Sequence, residues 1–380
     1  LLFFAVMSYI RKAQKMEEDM QKRYFWTAIT LTTCITMAQA MPVLAGRVIG
    51  HASANYGTTQ NVSTDFNFLG SEMYTYQKME GDINLLKQKY EGVTSDSIGT
   101  TPDGRNMYRI TIGNKDAGKK ILVVGAIHAR EYITTPLVMR QIKEMLDKRA
   151  EGDKSLDEVC IEYIPMVNPD GVAISQSGIN GLNKEESKKK LQEIIDSWSE
   201  WGLKENQDKY NWFLNKWKNN LNGVDINHNF PTQGWKDRAD SRKRPSNEHY
   251  KGPSAGSESE TQYLINLVNS EKFAAVLNYH AQGQIIYWSN QHASAEVAAK
   301  DKAMADIVVS HTGYKLVSPE ADGSKYGTGF KDWLDWEKGI PNVTVEVGIG
   351  TSPVPETQIE NIWQQNKGVL PDIVKYILGK

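Results

Sequence analysis

Short continuous runs of apolar residues, separated by stretches with helical spacing, constrain the fold of this chain more than any other feature. A strand that is buried on both faces shows such a run, because it has no solvent-facing side on which polar residues would alternate. The runs are "KKILVVGAI" at 119–127, "VCIEYIPMV" at 159–167, "FAAVLNYH" at 273–280 and "NVTVEVG" at 342–348. Helical spacing is found in 79–90, 131–148, 293–311 and 356–378. We expect an α/β fold: a single-domain mixed, twisted central sheet flanked by helices.

No Pro/Gly-rich linker and no internal repeat divides this pattern, so we predict one catalytic domain over residues 74–380. Residues 46–73 are rich in Gly, Ser, Thr and Asn, and we expect a flexible lead-in there. The chain is 40% hydrophobic and 24% charged, as in ordinary soluble globular proteins, and we expect a monomer. Its net charge of -2 argues against a nucleic-acid partner, since such proteins usually carry a basic surplus.

Residues 20–45 combine a basic start, an uncharged and mostly apolar middle and the small-residue triplet Ala-Gln-Ala, which is the layout of a secretory signal peptide. Residues 1–19 are of uncertain status and could lie upstream of the true start. The alternatives for 20–45 are a cytosolic N-terminal helix or an uncleaved segment that anchors the chain to a membrane. With a cleaved signal, only Cys160 remains and no intrachain disulfide can form. We expect a secreted or cell-wall-associated bacterial protein.

Three residues near the ends of the apolar runs could ligate a metal, and a fourth could serve as the base of a zinc hydrolase. His128 and Glu131 lie three apart where the strand at 119–127 is expected to give way to a helix, and His280 ends another apolar run. Open α/β sheets bind ligands at the carboxyl edge of their strands. Two His and one Glu form a catalytic zinc set that leaves a fourth position open for water. Glu346 lies within a Val-rich strand, where a carboxylate needs a partner or a role.

Read together, the chain resembles the zinc carboxypeptidase family from about residue 74 to its C-terminus. The matching pieces occur in the family's order: "GAIHARE", "VNPDGV", "GVDINHNF", "YHAQG", "KDW" and "VTVEVG". The resemblance implies one Zn²⁺ per chain, held by His128, Glu131 and His280, with Glu346 as the general base. It further implies that Asp225 orients His128, that Arg130 and Asn227 bind substrate, and that Tyr326 closes over bound peptide.

Two departures from the family pattern concern the substrate. His228 stands where the digestive enzymes carry an Arg that grips the C-terminal carboxylate, and imidazole is a poorer clamp than guanidinium. The Arg that polarises the scissile carbonyl is also missing near "NKWKNNLNG". The replacement is left open among four residues of the chain: Lys216, Lys218, Arg242 and Arg244.

The C-terminal tail and the long insert before "GVDIN" resemble the bacterial branch that cleaves γ-D-glutamyl–diamino acid bonds of cell-wall peptides. Lys331 precedes "DW" at the position that lines the floor of the side-chain pocket in the digestive enzymes, and a cationic floor would favour a carboxylate-bearing substrate. A muropeptide is therefore the expected partner. The alternatives are a secreted metallocarboxypeptidase that removes C-terminal residues, and an inactive muropeptide-binding relative.

Overall fold

The computed structural model describes residues 65–319 and 327–380. Within these residues, eight strands form one sheet. They are β1 (Thr94–Thr100), β2 (Asn106–Gly113), β3 (Lys120–Val124), β4 (Cys160–Ile164), β5 (Phe273–Ala281), β6 (Ile285–Tyr287), β7 (Lys315–Val317) and β8 (Asn342–Val347).

The sheet is mixed, with the order β1-β2-β4-β3-β5-β8-β6-β7. The four central strands β4, β3, β5 and β8 run parallel, whereas β2 and β6 pair antiparallel with β4 and β8. Long crossovers that contain helices connect the parallel strands, as parallel pairing requires. The expected mixed α/β sheet is confirmed.

The α-helices within the described residues lie on both faces of this sheet. They are α1 (Tyr76–Lys89), α2 (Thr134–Ala150), α3 (Ser155–Glu158), α4 (Pro169–Ser177), α5 (Glu185–Asp196), α6 (Gln207–Asn215), α7 (Ser259–Ser270), α8 (Ala295–Thr312), α9 (Phe330–Trp333), α10 (Ile359–Asn366) and α11 (Val369–Leu378). No helix in this part of the chain has both the length and the apolar character needed to cross a bilayer.

The C-terminal segment 356–378 was expected to be one helix, but it forms two. Gly368 separates α10 from α11 and has a φ of 84°, a left-handed conformation that glycine adopts without the usual side-chain clash. The backbone N–H of Gly368 donates to the carboxylate of Glu144 on α2, which fixes the break against the body of the domain.

Strand β3 shows why the central runs are continuously apolar. Ile121 and Val123 belong to one buried cluster and Leu122 and Val124 to another, so both faces of the strand are covered. Alternate residues of a strand point to opposite faces, and here each face has helices packed upon it.

The folded domain begins before residue 74. Phe66 and Phe68 are buried and stack with their ring centroids 4.7 Å apart. The buried carboxylate of Asp82 accepts hydrogen bonds from the backbone N–H of Phe68 and from the hydroxyl of Tyr74. Phe66 and Phe68 therefore belong to the core, although residues 69–73 are exposed, while 1–64, including the expected signal segment, lie outside the described residues.

Candidate active site

Three adjacent strands bring the candidate residues to one edge of the sheet. His128 follows the end of β3, His280 is near the end of β5, and Glu346 is near the end of β8. Residues His280 and Glu346 are direct partners in the register of β5 and β8. Because all three strands are parallel, their carboxyl ends meet at the same edge, as the sequence predicts.

The spacing of His128 and Glu131 works through a turn that differs from the expected helix. His128 immediately precedes the 3-10 turn Ala129–Glu131, and Glu131 is the last residue of that turn. Helix α2 starts only at Thr134. In a 3-10 turn, side chains three apart eclipse one another, so both still point to the same place. The 3-10 turn, rather than the expected start of an α-helix, therefore brings the two side chains together.

Three buried donor groups converge at this point. The Nδ1 of His128 lies 2.8 Å from Oε1 of Glu131, and the Nδ1 of His280 lies 2.9 Å from Oε2. The two Nδ1 atoms are 3.1 Å apart. Tetrahedral zinc, with bonds near 2.0–2.2 Å, holds its ligand atoms about 3.3 Å apart, so these separations fit one shared cation. Among the described residues, this is the cluster whose ligand atoms could hold a metal ion.

The outer nitrogen of His128 faces Asp225. Its Nε2 lies 3.3 Å from Oδ1 of Asp225, and both atoms are buried and have no other hydrogen-bond partner within the described part of the chain. A proton on Nε2 that faces this carboxylate leaves the lone pair of Nδ1 free for a metal. The contact therefore fixes the tautomer that a ligand needs.

His280 has a similar outer partner in Asn278. The Nε2 of His280 lies 3.0 Å from the amide nitrogen Nδ2 of Asn278, whereas the amide oxygen is buried without a hydrogen bond among the described residues. A 180° rotation of the amide group exchanges its oxygen and its nitrogen. With the oxygen facing His280, Nε2 carries the proton and Nδ1 is free to ligate, so both histidines can present the same tautomer.

Asp225 is the fully buried centre of a charged group. Lys218 Nζ lies 2.9 Å from Oδ2, and His228 Nδ1 lies 3.4 Å from the same oxygen. Burial opposes ionisation of Asp225, but its interactions with His228, Lys218 and His128 outweigh burial and hold the pKa of the carboxyl well below its usual range. A permanent negative charge therefore faces His128.

Glu346 lies beside the donor cluster and is partly open to solvent. Burial, followed by the negative charge of Glu131, raises the pKa of Glu346 to about 7. A bound dication would offset the charge of Glu131 and bring this pKa down again. A carboxylate whose pKa approaches neutrality can take up a proton and return it, which is the property of a general base.

A family model described as zinc carboxypeptidase matches residues 79–368. The chain belongs to the zinc carboxypeptidase family. It is 30% identical over 310 residues to gamma-D-glutamyl-L-diamino acid endopeptidase 1 of Lysinibacillus sphaericus, covering 79% of this chain and 72% of that protein. It is also 27% identical to the uncharacterized protein YqgT of Bacillus subtilis (strain 168), covering 79% of this chain and 76% of that protein.

The fold is shared with solved carboxypeptidases. The carboxypeptidase A of Helicoverpa armigera superposes with a TM-score of 0.62 at 18% identity, covering 84% of this chain and 76% of that chain. At this identity the likeness concerns the fold, and it agrees with the mixed sheet described above. The chain is thus a metallopeptidase of the zinc carboxypeptidase family.

Of the four cations considered for the missing carbonyl-polarising Arg, the structure brings Lys218 to the site. Its ammonium contacts Asp225 and is buried. Lys216 instead donates to the carbonyl of Ser352. Arg242 and Arg244 lie over aromatic rings, with their guanidinium carbons 4.6 Å from the Trp201 centroid and 4.0 Å from the Trp198 centroid respectively.

The predicted substrate-binding residues are engaged with protein groups. Arg130 Nη1 lies 2.9 Å from a carboxylate oxygen of Glu248. Asn227 accepts a hydrogen bond through Oδ1 from the backbone N–H of Phe330 at 2.9 Å. His228 is in contact with a cationic side chain, because Arg238 Nη2 lies 2.9 Å from its Nε2.

Lys331 does not present an isolated charge. Its ammonium donates to the carbonyl oxygen of Ser289 at 2.8 Å and to Oδ1 of Asp332 at 2.9 Å. The charge of Lys331 is therefore already paired, which weakens the argument for a cationic pocket floor at this position. Tyr326 lies outside the described residues.

Sequence reasoning missed Arg238 and Glu248, which contact His228 and Arg130. Both residues lie in the long loop between the 3-10 turn Ile226–His228 and α7. Their contacts depend on how that loop folds back on the site. No spacing or motif in the sequence indicates such contacts.

Proposed function

We propose that the protein binds one Zn²⁺ through His128, Glu131 and His280 and hydrolyses γ-D-glutamyl–diamino acid bonds of cell-wall peptides. The observation that carries the metal part is the convergence of three buried donor groups within 3.1 Å of one another, each able to hold the required tautomer or charge. The substrate class is supported by the endopeptidase relative, which is 30% identical over most of both chains.

A zinc ion bound there supplies Lewis-acid chemistry: it polarises a carbonyl group and makes water more acidic. In our proposal, Glu346 accepts a proton from the attacking water and transfers it to the amine as the peptide C–N bond breaks. The water oxygen remains on the new carboxyl group, so the reaction is a balanced hydrolysis. Asp225 keeps His128 in the ligating tautomer throughout.

We assign Lys218 the role of the missing carbonyl-polarising cation. One of its three N–H groups is directed at Asp225, and it makes no other side-chain hydrogen bond within the described residues. The remaining N–H groups of the ammonium can donate to a substrate oxygen that gains negative charge. Such preorganised donors stabilise developing charge well in a partly dry site.

The proposed substrate also implies where the enzyme acts, and this localisation is part of the proposal. Cell-wall peptides lie outside the bacterial membrane, so the protein would act as a secreted or wall-associated monomer. The layout of residues 20–45 supports export, and the net charge of -2 gives no reason to expect nucleic-acid binding.

The test combines metal analysis with peptide hydrolysis. The purified protein is expected to contain one zinc per chain and to cleave L-Ala-γ-D-Glu-diaminopimelate faster than hippuryl-Phe or hippuryl-Arg, with activity lost on chelation and restored by zinc. His280→Ala should lower both zinc content and activity, whereas His292→Ala, at an exposed His outside the cluster, should alter neither. A preference for hippuryl-Phe would support the C-terminal-trimming alternative, and zinc binding without any hydrolysis would support the inactive one.

A further inference from the structure

The guanidinium group of Arg238 lies next to the candidate site, where it contacts His228. Its Nη2 lies 2.9 Å from Nε2 of His228. Because a guanidinium is always charged and only donates, Nε2 must be the acceptor and the proton must lie on Nδ1. His228 is therefore a neutral ring that holds a cation, and burial, which lowers the pKa of His228 well below its usual value, agrees with that state.

A line of contacts connects Arg238 to the metal-ligand cluster. His228 Nδ1 lies 3.4 Å from Oδ2 of Asp225, and Oδ1 of Asp225 lies 3.3 Å from Nε2 of His128. Three contacts thus lead from the guanidinium to a metal ligand. These contacts hold the positive charge of Arg238 close to Asp225, with the imidazole of His228 between the two side chains.

The partners of Arg238 differ from those of nearby cations. Arg130 pairs with Glu248, Lys331 pairs with Asp332, and Arg244 pairs with Glu200. By contrast, no carboxylate of the described residues pairs with Arg238. Its Nε, like that of Arg130, is buried without a hydrogen bond in this part of the chain. A buried N–H without an acceptor is costly, so this guanidinium is a site that an added anion would stabilise.

We propose that Arg238 binds a carboxylate of the peptide substrate and that His228 is the positioning residue that holds it. The inference rests on the proposed function and specifies its substrate class: a peptide with a carboxylate beside the scissile bond. A guanidinium pairs with a carboxylate through two parallel hydrogen bonds, which selects orientation as well as charge. Both D-glutamate and diaminopimelate offer such a group.

The experiment compares L-Ala-γ-D-Glu-diaminopimelate with three mono-amides, in which one carboxylate at a time is neutralised. Hydrogen bonds to charged groups contribute about 1.5–3 kcal/mol, so Arg238→Ala should raise KM for the all-acid peptide about 10- to 150-fold. For the amide that lacks the bound carboxylate, wild type and variant should agree within about twofold. That amide identifies the carboxylate.

Matched variants separate positioning from general damage. Arg244→Ala removes the same charge from a guanidinium that pairs with Glu200, and it should leave every KM near the wild-type value. His228→Gln keeps an acceptor for Arg238 and should largely preserve KM for the all-acid peptide, whereas His228→Leu should raise it. Zinc content and Tm are measured for each variant, so that a folding defect is not read as a binding defect.

The outcomes distinguish this inference from the proposed function. If Arg238→Ala lowers kcat/KM equally for the acid and for all three amides, Arg238 does not read a carboxylate and the inference is wrong. If the wild type cleaves none of these peptides, the proposed substrate class is wrong. Calorimetric titration with hippuryl-Phe and its amide then decides the role of Arg238: the inference requires that only the acid bind more weakly to Arg238→Ala.

Discussion

Replacing Asp225 by Asn should release zinc, although the new side chain has the same shape. Asp225 serves three donor groups with two oxygens: His128 at Oδ1, and Lys218 and His228 at Oδ2. An amide has one oxygen, and the ammonium of Lys218, 2.9 Å away, will attract it. The amide NH₂ then faces His128, whose Nε2 must accept, and the ring proton moves to Nδ1. A protonated Nδ1 cannot ligate a metal.

The expected loss of zinc affinity can be estimated from other metal sites in which a carboxylate supports a ligating His. Removing an outer carboxylate that supports a ligating His typically weakens metal binding about 10- to 100-fold, or roughly 1.4–2.8 kcal/mol. Here the imposed wrong tautomer adds to the lost hydrogen bond, so we expect the upper end of that range. Buried Lys218 also loses its counter-charge, which should lower the stability of the metal-free protein.

Zinc affinity is measured by competition with a chromogenic chelator, and Tm is recorded with and without zinc. Asp237→Asn, at an exposed position, serves as the control for charge removal and should bind zinc like the wild type. An Asp225→Asn protein with wild-type zinc affinity and wild-type kcat/KM would refute the assignment of the tautomer, and with it the role of Asp225.

Three further outcomes are expected. Phe68→Ala should lower the free energy of unfolding in urea by about 3–5 kcal/mol because the ring is fully buried, whereas exposed Leu69→Ala should change it by less than about 0.5 kcal/mol; equal effects would contradict the packing of this segment. Burial raises the pKa of Glu260 to about 7, so the folded state holds this proton more tightly than the unfolded state, and stability is lost as pH rises from about 4.5 to 7. Glu260→Gln should therefore be more stable than the wild type at pH 8, by up to about 3 kcal/mol, but not at pH 4, and the reverse order in urea titrations would count against it. Lys331→Ala should raise KM for the diaminopimelate peptide less than Arg238→Ala does, because the Lys331 charge is already paired. A larger effect of Lys331→Ala would instead support the hypothesis that Lys331 binds a substrate carboxylate.

The sequence predicted the parts of the fold that depend on burial. The continuous runs of β3, β4 and β5 are apolar because both faces of these strands are covered, and that pattern is visible without a structure. Strand β1, with the sequence "TSDSIGT", was missed because it lies at the sheet edge and half of its residues face solvent. The buried role of Phe66 and Phe68 was also missed, since they lie in a segment rich in Gly, Ser, Thr and Asn.

The candidate site likewise has a part that the sequence predicts and a part that it does not. His128, Glu131, His280 and Glu346 could be placed together because strand ends share an edge, which is a property of topology. The contacts of the expected substrate-binding residues could not be predicted. Arg238 reaches His228 and Glu248 reaches Arg130 through the folded path of one long loop, and Lys331 is paired by its own neighbour Asp332. Such contacts depend on tertiary geometry that no local pattern encodes.

The turnover of Glu346→Gln on L-Ala-γ-D-Glu-diaminopimelate, measured beside its zinc content, tests the proposed role of Glu346 as general base most directly. The substitution keeps the size of the side chain but removes its basicity. We expect a folded protein with one zinc per chain and a kcat reduced about 10²- to 10⁴-fold, the range attributed to a general base. A variant that holds zinc and turns over at nearly the wild-type rate would contradict the account, because the proton would then have to pass through another group.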